Sequence, residues 1–324
     1  MTRLVVAAVD YHTAGEPFRI VSGGVGSIPG STILEKRRYC AERLDRVRRL
    51  LVFEPRGHAD MYGCFVTEPC AEGSDLGVVF FHNEGYSTAC GHGTIALATW
   101  ALESGVVEPR ERLRIDVPSG TLDVTCAVEG DRVRRVSFVN VPAFVLADGL
   151  EVVTTRGPVR AAVSFGGAFY ASVDVAELGL AVDPAHVPTL IALGREVKRR
   201  LESAHEIVHP REPELRGVYG VIFFQREGDR RQRNVTIFAD GEVDRSPCGS
   251  GTSARLALLD ASGELPRGET LTHLSVIGTE FDARVVGERD GGVLTEVGGS
   301  ASLTGFHQFV LEPDDPLGEG FLLR

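Results

Sequence analysis

Two cysteines carry the strongest chemical signal in the chain. Ala89-Cys90-Gly91-His92-Gly93-Thr94 opens the apolar run 95–102, and Pro247-Cys248-Gly249-Ser250-Gly251-Thr252 opens a second, 254–259. The thiols stand at residues 90 and 248 of 324, about half a chain apart. Each follows a β-rich run, Val78-Val79-Phe80 or Val235-Thr236-Ile237-Phe238. Each is followed by a glycine, Gly105 or Gly263, placed to end a helix. The pattern predicts one strand–turn–helix unit used twice, with a thiol at each turn.

A cysteine at a helix N-terminus has its thiolate stabilised by the helix dipole, so its pKa falls from the free value of about 8.5. The Gly-x-Gly that follows lets another group approach the first backbone N–H groups closely. Two such helix ends make carboxylate cradles, with the N–H groups of Gly91, His92, Gly249 and Ser250 as donors. One thiolate and one thiol facing a shared cleft act as base and acid on opposite faces of one carbon. Together they invert a stereocentre beside a carboxylate. The carbanion charge is met by fixed dipoles, and no cofactor and no metal is required.

A single cysteine before a Gly-rich turn is ordinarily a small buried residue. The repetition argues for function at Cys90 and Cys248, while Cys40, Cys64, Cys70 and Cys126 read as structural. His92, beside the first thiol and its cradle, reads as a substrate contact. Asp244, four residues before Cys248, has two readings: a turn ion pair with Arg245, or a holder of the substrate's amine. Two other classes are open: an amino-acid-binding protein without catalysis, and a metal site at Cys90, His92 and Cys248, which offers only three soft ligands.

The positioning elements follow from periodicity. The apolar runs after the thiols have almost no polar face, so each helix should lie buried in its own lobe with its N–H end emerging. An amphipathic helix is predicted over 32–51, with Ile33, Leu34, Leu44, Val47 and Leu51 facing inward. Arg48 and Arg49 would complement its dipole. A second helix is predicted over 186–204. Strands are predicted at 4–9, 77–81, 113–117, 121–128, 133–141, 159–165, 169–173, 218–224, 234–238, 271–277, 281–286, 294–297 and 306–311. The Gly-rich stretch 22–30 reads as a loop.

Composition is that of a globular protein, 43% hydrophobic and 24% charged. A net charge of −11 argues against nucleic acid or an anionic membrane as the main partner. No apolar run approaches the roughly 20 residues that span a bilayer. The first residues run straight into an apolar strand without a cleavage signal, so a cytoplasmic location is expected. No Cys-x-x-Cys pair occurs, which argues against a zinc knuckle. Disulfides are not expected in a cytosolic chain of this size.

The motifs together resemble the proline racemase family, which includes hydroxyproline 2-epimerases and trans-3-hydroxyproline dehydratases. The resemblance is carried by residues 12–17 (His-Thr-Ala-Gly-Glu-Pro), 55–63 (Pro-Arg-Gly-His-Ala-Asp-Met-Tyr-Gly), 85–93, 244–252 and 299–305, which span almost the whole chain. It implies an α/β (α+β), diaminopimelate-epimerase-like fold. This has two pseudo-symmetric lobes, each a curved mixed sheet around a central buried helix. The expected lobes are 1–135 plus 305–324, carrying Cys90, and 136–304, carrying Cys248, with the active site in the cleft between them.

The resemblance makes Cys90 and Cys248 the acid/base pair. It assigns His92 and Asp244 to the substrate's ring nitrogen, and Gly91, Gly249 and Ser250 to its carboxylate. No chemistry is assigned to the His12 and His58 motifs. The implied partner is a small molecule, proline or a hydroxyproline, with no cofactor, no nucleic acid and no membrane; a homodimer is admitted. Ser250 stands where many racemases have Thr. The wording near residues 83–86 and the C-terminal end look closer to the dehydratase branch, but dehydratases typically carry Thr in place of the second cysteine. Cys248 therefore directs the expectation to racemisation or 4-hydroxyproline 2-epimerisation, with trans-3-hydroxy-L-proline dehydration as the alternative.

Overall fold

The two helices that follow the thiols are buried along most of their length. The structure, a computed structural model, describes residues 3–323. The chain divides into two units, Met1–Val136 with Ser300–Arg324, and Ser137–Gly299.

In the first unit, β1 (Leu4–Thr13) and β2 (Glu16–Gly23) form an antiparallel hairpin. Its two turn residues, Ala14 and Gly15, both have positive φ, the geometry that matches strand twist in a tight hairpin. The chain then crosses through α1 (Ile33–Tyr39), a π segment at Cys40–Leu44, and α2 (Asp45–Val52). The crossover lets β3 (Tyr62–Thr67) run parallel to β2. β4 (Leu76–His82), buried at every position, is antiparallel to β3. α3 (Gly91–Glu103) makes the second crossover, to β5 (Arg112–Val117), parallel to β4. β6 (Gly120–Glu129) returns antiparallel to β5. β7 (Arg132–Val139) carries the chain over the boundary.

The second unit starts with β8 (Phe144–Thr154), β9 (Gly157–Phe165) and β10 (Phe169–Asp174), antiparallel in turn. α4 (Val187–Ala204) crosses to β11 (Val218–Gly228), parallel to β10. β12 (Arg231–Phe238) is antiparallel to β11, and the short β13 (Glu242–Asp244) folds back on its end. α5 (Gly249–Ser262) crosses to β14 (Leu271–Leu274), parallel to β12. β15 (Glu280–Arg289) and β16 (Gly292–Gly299) follow antiparallel. The last strand, β17 (Ala301–Leu311), belongs to the first unit, antiparallel on β1.

Both units use one pairing sequence. Reading β17-β1-β2-β3-β4-β5-β6, the pairs run antiparallel, antiparallel, parallel, antiparallel, parallel, antiparallel. Reading β8-β9-β10-β11-β12-β14-β15 gives the same order. Each parallel pair is bridged by helix. α3 is buried from Gly91 to Leu102 and packs on β1, β2, β3, β6 and β17. α5 is buried from Gly249 to Leu259 and packs on β8, β9, β10, β15 and β16. Each large apolar side chain so buried contributes roughly 2 kcal/mol. Left-handed Gly105 and Gly263 follow the two helices.

Several expectations change. The helix foreseen over 32–51 is broken by the π segment, and Leu34 and Leu44 are only half-buried. Arg48 does not serve the helix dipole at the surface. It is buried, and its guanidinium donates to the carbonyls of His82 and Asn83 at the end of β4. β8 has no counterpart in the predicted strands, because two register shifts around Ala147 break its alternation. β14 ends at Leu274 instead of 277, where Ser275 closes a turn onto Thr279 through Gly278. Among the described residues, no helix is long and apolar enough to cross a membrane.

Candidate active site

In the first unit Cys90 is the N-cap of α3, with an extended backbone, φ −155°. Its sulfur accepts the Gly93 N–H at 3.3 Å, so it meets one of the helix donors that lack an i−4 carbonyl. Its carbonyl accepts from Thr94 N and Thr94 Oγ1. His92 is the second residue of α3, at the same mouth, and is 3% exposed. Its ring nitrogens sit 3.4 and 3.6 Å from the Cys90 sulfur. The ring is held edge-on to Phe18 and Tyr62, and Thr13 Oγ1 donates to the His92 carbonyl. Gly93 cannot be larger: a Cβ there would come within 2.4 Å of the Phe18 ring and 2.7 Å of the sulfur.

In the second unit Cys248 is the N-cap of α5, but its φ is 63°, left-handed. Its sulfur lies against the Gly251 N–H without the close capping bond that Cys90 makes. It also lies against Tyr170, whose hydroxyl it meets at 3.8 Å, and against the hydroxyl of Thr236. Burial pushes the thiol well above its usual range, and the neighbouring Asp244 carboxylate pushes it further, so it holds its proton. Ser250 Oγ is 2.7 Å from the Tyr170 hydroxyl. Gly251 is to Cys248 what Gly93 is to Cys90, since a Cβ on it would lie 2.9 Å from the sulfur.

Asp244 ends β13 and is buried, which raises its carboxyl to about 6. Its Oδ1 accepts from Ser246 N at 2.8 Å and Ser246 Oγ at 2.7 Å, and Ser246 Oγ in turn accepts from Cys248 N. Arg245 donates to the Val243 carbonyl. Thus Asp244, Ser250 and Cys248 share one hydrogen-bonded turn, and Cys90, His92 and Gly91 share the other.

Tyr170 and Thr236 were not singled out from sequence. Each sits in a strand whose apolar neighbours make it look like ordinary core, and the only available signal was a polar atom on an otherwise buried face. The six cysteines are all free thiols. Burial raises Cys40 to about 12 and Cys126 to about 11 and carries Cys64 well above its usual value, the behaviour of inert core thiols.

The chain matches the family described as "Proline racemase" over residues 8–322. A trans-3-hydroxy-L-proline dehydratase from Bacillus cereus is 45% identical to it over 98% of both chains. A 3-hydroxyproline 2-epimerase from Burkholderia multivorans is 44% identical over the same share of each. Among solved structures, a hydroxyproline epimerase from Agrobacterium vitis with bound trans-4-OH-L-proline superposes with a TM-score of 0.93. It is 30% identical and covers 99% of this chain and 95% of its own. The fold is the diaminopimelate-epimerase-like one, and the chain belongs to the proline racemase family.

Proposed function

We propose that the protein inverts the α-carbon of proline or a hydroxyproline without a cofactor, with Cys90 and Cys248 as its acid/base pair. The observation that carries this reading is the pairing of thiols with helix mouths. Each unit holds one cysteine at the first turn of a helix buried over most of its length, with a glycine against the sulfur.

The environments support a division of labour in the resting protein. The Cys90 sulfur receives a backbone N–H at a helix N-terminus, which favours its thiolate. Cys248 holds its proton. In the proposed cycle Cys90 takes the α-proton, and the C–H electron pair delocalises into the substrate carboxylate. Cys248 then gives its proton to the opposite face. One proton is removed and one delivered, and the two sulfurs exchange protonation states; the reverse reaction runs from that exchanged state. The N–H groups of Gly91, His92, Gly249 and Ser250 would bind the carboxylate, where the negative charge grows. His92 and Asp244 would hold the ring nitrogen.

The test is incubation with L-proline and with trans-4-hydroxy-L-proline in D2O. The expected result is α-deuteration with inversion; no exchange with any ring amino acid counts decisively against the proposal. A second reading is favoured by the 45% identity to a protein named trans-3-hydroxy-L-proline dehydratase. In it Cys90 removes the α-proton of trans-3-hydroxy-L-proline, the C–H electron pair forms the ring double bond, and the 3-hydroxyl takes up a proton from a thiol and leaves as water. A cyclic imine trapped as a coloured adduct, without inversion of proline or 4-hydroxyproline, selects that reading.

A further inference from the structure

Left-handed backbone at a residue with a Cβ persists only where the surroundings over-determine it. At Cys248 the determining contact is on the preceding peptide. The Pro247 carbonyl oxygen accepts from Asn234 Nδ2 at 3.0 Å and from Thr252 Oγ1 at 3.2 Å. Both donors are tied to one histidine on β14. His273 Nδ1 lies 2.7 Å from Thr252 Oγ1, and His273 Nε2 lies 3.0 Å from Asn234 Nδ2. Asn234, Thr252 and His273 have no exposed surface at all.

The donors and acceptors assign the tautomer. The Thr252 hydroxyl has one proton, and the Pro247 oxygen can only accept it. Thr252 Oγ1 therefore accepts from His273, which places the imidazole proton on Nδ1. Nε2 is left bare and accepts one Asn234 amide proton. The second amide proton is shared between the carbonyls of Pro247 and Leu274. Burial keeps the ring neutral, with its pKa lowered to about 3. Asn234 Oδ1 accepts from Thr236 Oγ1 at 3.4 Å, and Thr236 also touches the Cys248 sulfur. The network therefore reaches Cys248 from its backbone and from its sulfur.

The first unit solves the same turn without a histidine. Thr94, placed relative to Cys90 as Thr252 is to Cys248, donates to the cysteine's own carbonyl at 2.8 Å, and Cys90 stays extended.

We propose that His273 is a positioning residue: through Thr252 and Asn234 it locks the Pro247 carbonyl and so sets the direction of the Cys248 sulfur. The activity readout rests on the proposed role of Cys248, and a chemical readout does not. The variants are His273→Leu, which removes both ring contacts, Thr252→Val, which removes one hydroxyl, and Thr252→Ser, which restores it. Each is measured for kcat and KM of α-proton exchange, for thermal midpoint, and for iodoacetamide alkylation of Cys248 and Cys90 mapped by peptide mass spectrometry. Thr252→Val and His273→Leu are expected to lower kcat about 10- to 100-fold at little-changed KM, with Thr252→Ser recovering to within about threefold of the parent. The alkylation rate of Cys248 should change while that of Cys90 does not. A folded Thr252→Val protein with parental kcat and parental Cys248 alkylation overturns the inference. So does an equal change at both thiols, the mark of general loosening. If His273→Leu does not fold, the Val/Ser pair at Thr252 decides alone. If the parent exchanges no α-proton, the function proposal fails, and the alkylation contrast still decides this one.

Discussion

Cys90 and Cys248 begin equivalent helices in units of equivalent strand pairing, yet their backbones take opposite regions of conformational space. Cys90, at φ −155°, turns its sulfur back to cap its own helix through Gly93 N–H. Cys248, at φ 63°, keeps its sulfur beside the Gly251 N–H and also sets it in a polar cluster of Tyr170, Thr236 and Asp244. A shared Cys-Gly-x-Gly-Thr motif thus fixes the room around the sulfur and leaves its direction to the neighbouring strands. The consequence is electrostatic. Both sulfurs lie by a helix N–H, and at Cys248 burial and the Asp244 carboxylate raise the thiol, the group that the proposed cycle uses as its acid.

The largest expected effect comes from breaking either side. Cys90→Ser and Cys248→Ser should each lower inversion by about 10²- to 10⁴-fold or more, followed by chiral analysis of product. Full racemisation in either variant removes that sulfur from the mechanism and ends the symmetry of roles.

Asp244 sharpens the electrostatic side of the comparison. Its carboxyl is raised from 3.8 to about 6 by burial. A raised folded-state pKa means the folded form prefers the protonated acid. That contribution is complete below about pH 4 and is lost as pH rises through about 6. Above that range the ionised group costs roughly 3 kcal/mol relative to an exposed carboxylate. Asp244→Asn should therefore melt at a higher temperature than the parent at pH 7 to 8, with the gap closing below pH 4. A gap independent of pH would mean that the buried acid is not ionising at neutral pH.

The glycines against the sulfurs test steric equivalence. Gly93→Ala drives its Cβ to 2.4 Å from the Phe18 ring, while Gly251→Ala meets Ile222 at 3.1 Å and the Cys248 sulfur at 2.9 Å. Overpacking costs about 1–3 kcal/mol, and urea unfolding should place Gly93→Ala at the larger end. A larger loss at Gly251 would reverse the order of crowding.

The smallest effect reads the backbone directly. At position 248 the Gly variant should be more stable than the Ala variant by about 1 kcal/mol, because only Gly accepts left-handed φ freely. At position 90, which is extended, Ala should be the more stable by up to ~1 kcal/mol. Matching orders at the two positions would erase the conformational difference on which the comparison rests.

Much of this was legible without coordinates. The absence of a polar face announced α3 and α5 as buried helices, and Gly105 and Gly263 marked their ends. Proline kept the start of α4 within a residue of its expected place. Other features were hidden because their cause is remote in sequence. Arg48 reads as a surface charge until β4 brings the His82 and Asn83 carbonyls to it. β8 loses its alternation where the register shifts. Tyr170 is 78 residues from the thiol it touches, and His273 stands in a strand that looks like any apolar core segment.

Local physics therefore specified where the thiols lie, that each opens a buried helix, and that glycines leave room at each helix mouth. These are properties of a few consecutive residues, and they also carry the family signature. That those glycines stand against the sulfurs came from the structure. The direction of the Cys248 sulfur was decided only by tertiary structure. A left-handed residue is held by hydrogen bonds to its neighbouring peptide; those donors come from β12 and α5 and are themselves bonded to His273 on β14, and these elements meet only once the parallel crossover has been made.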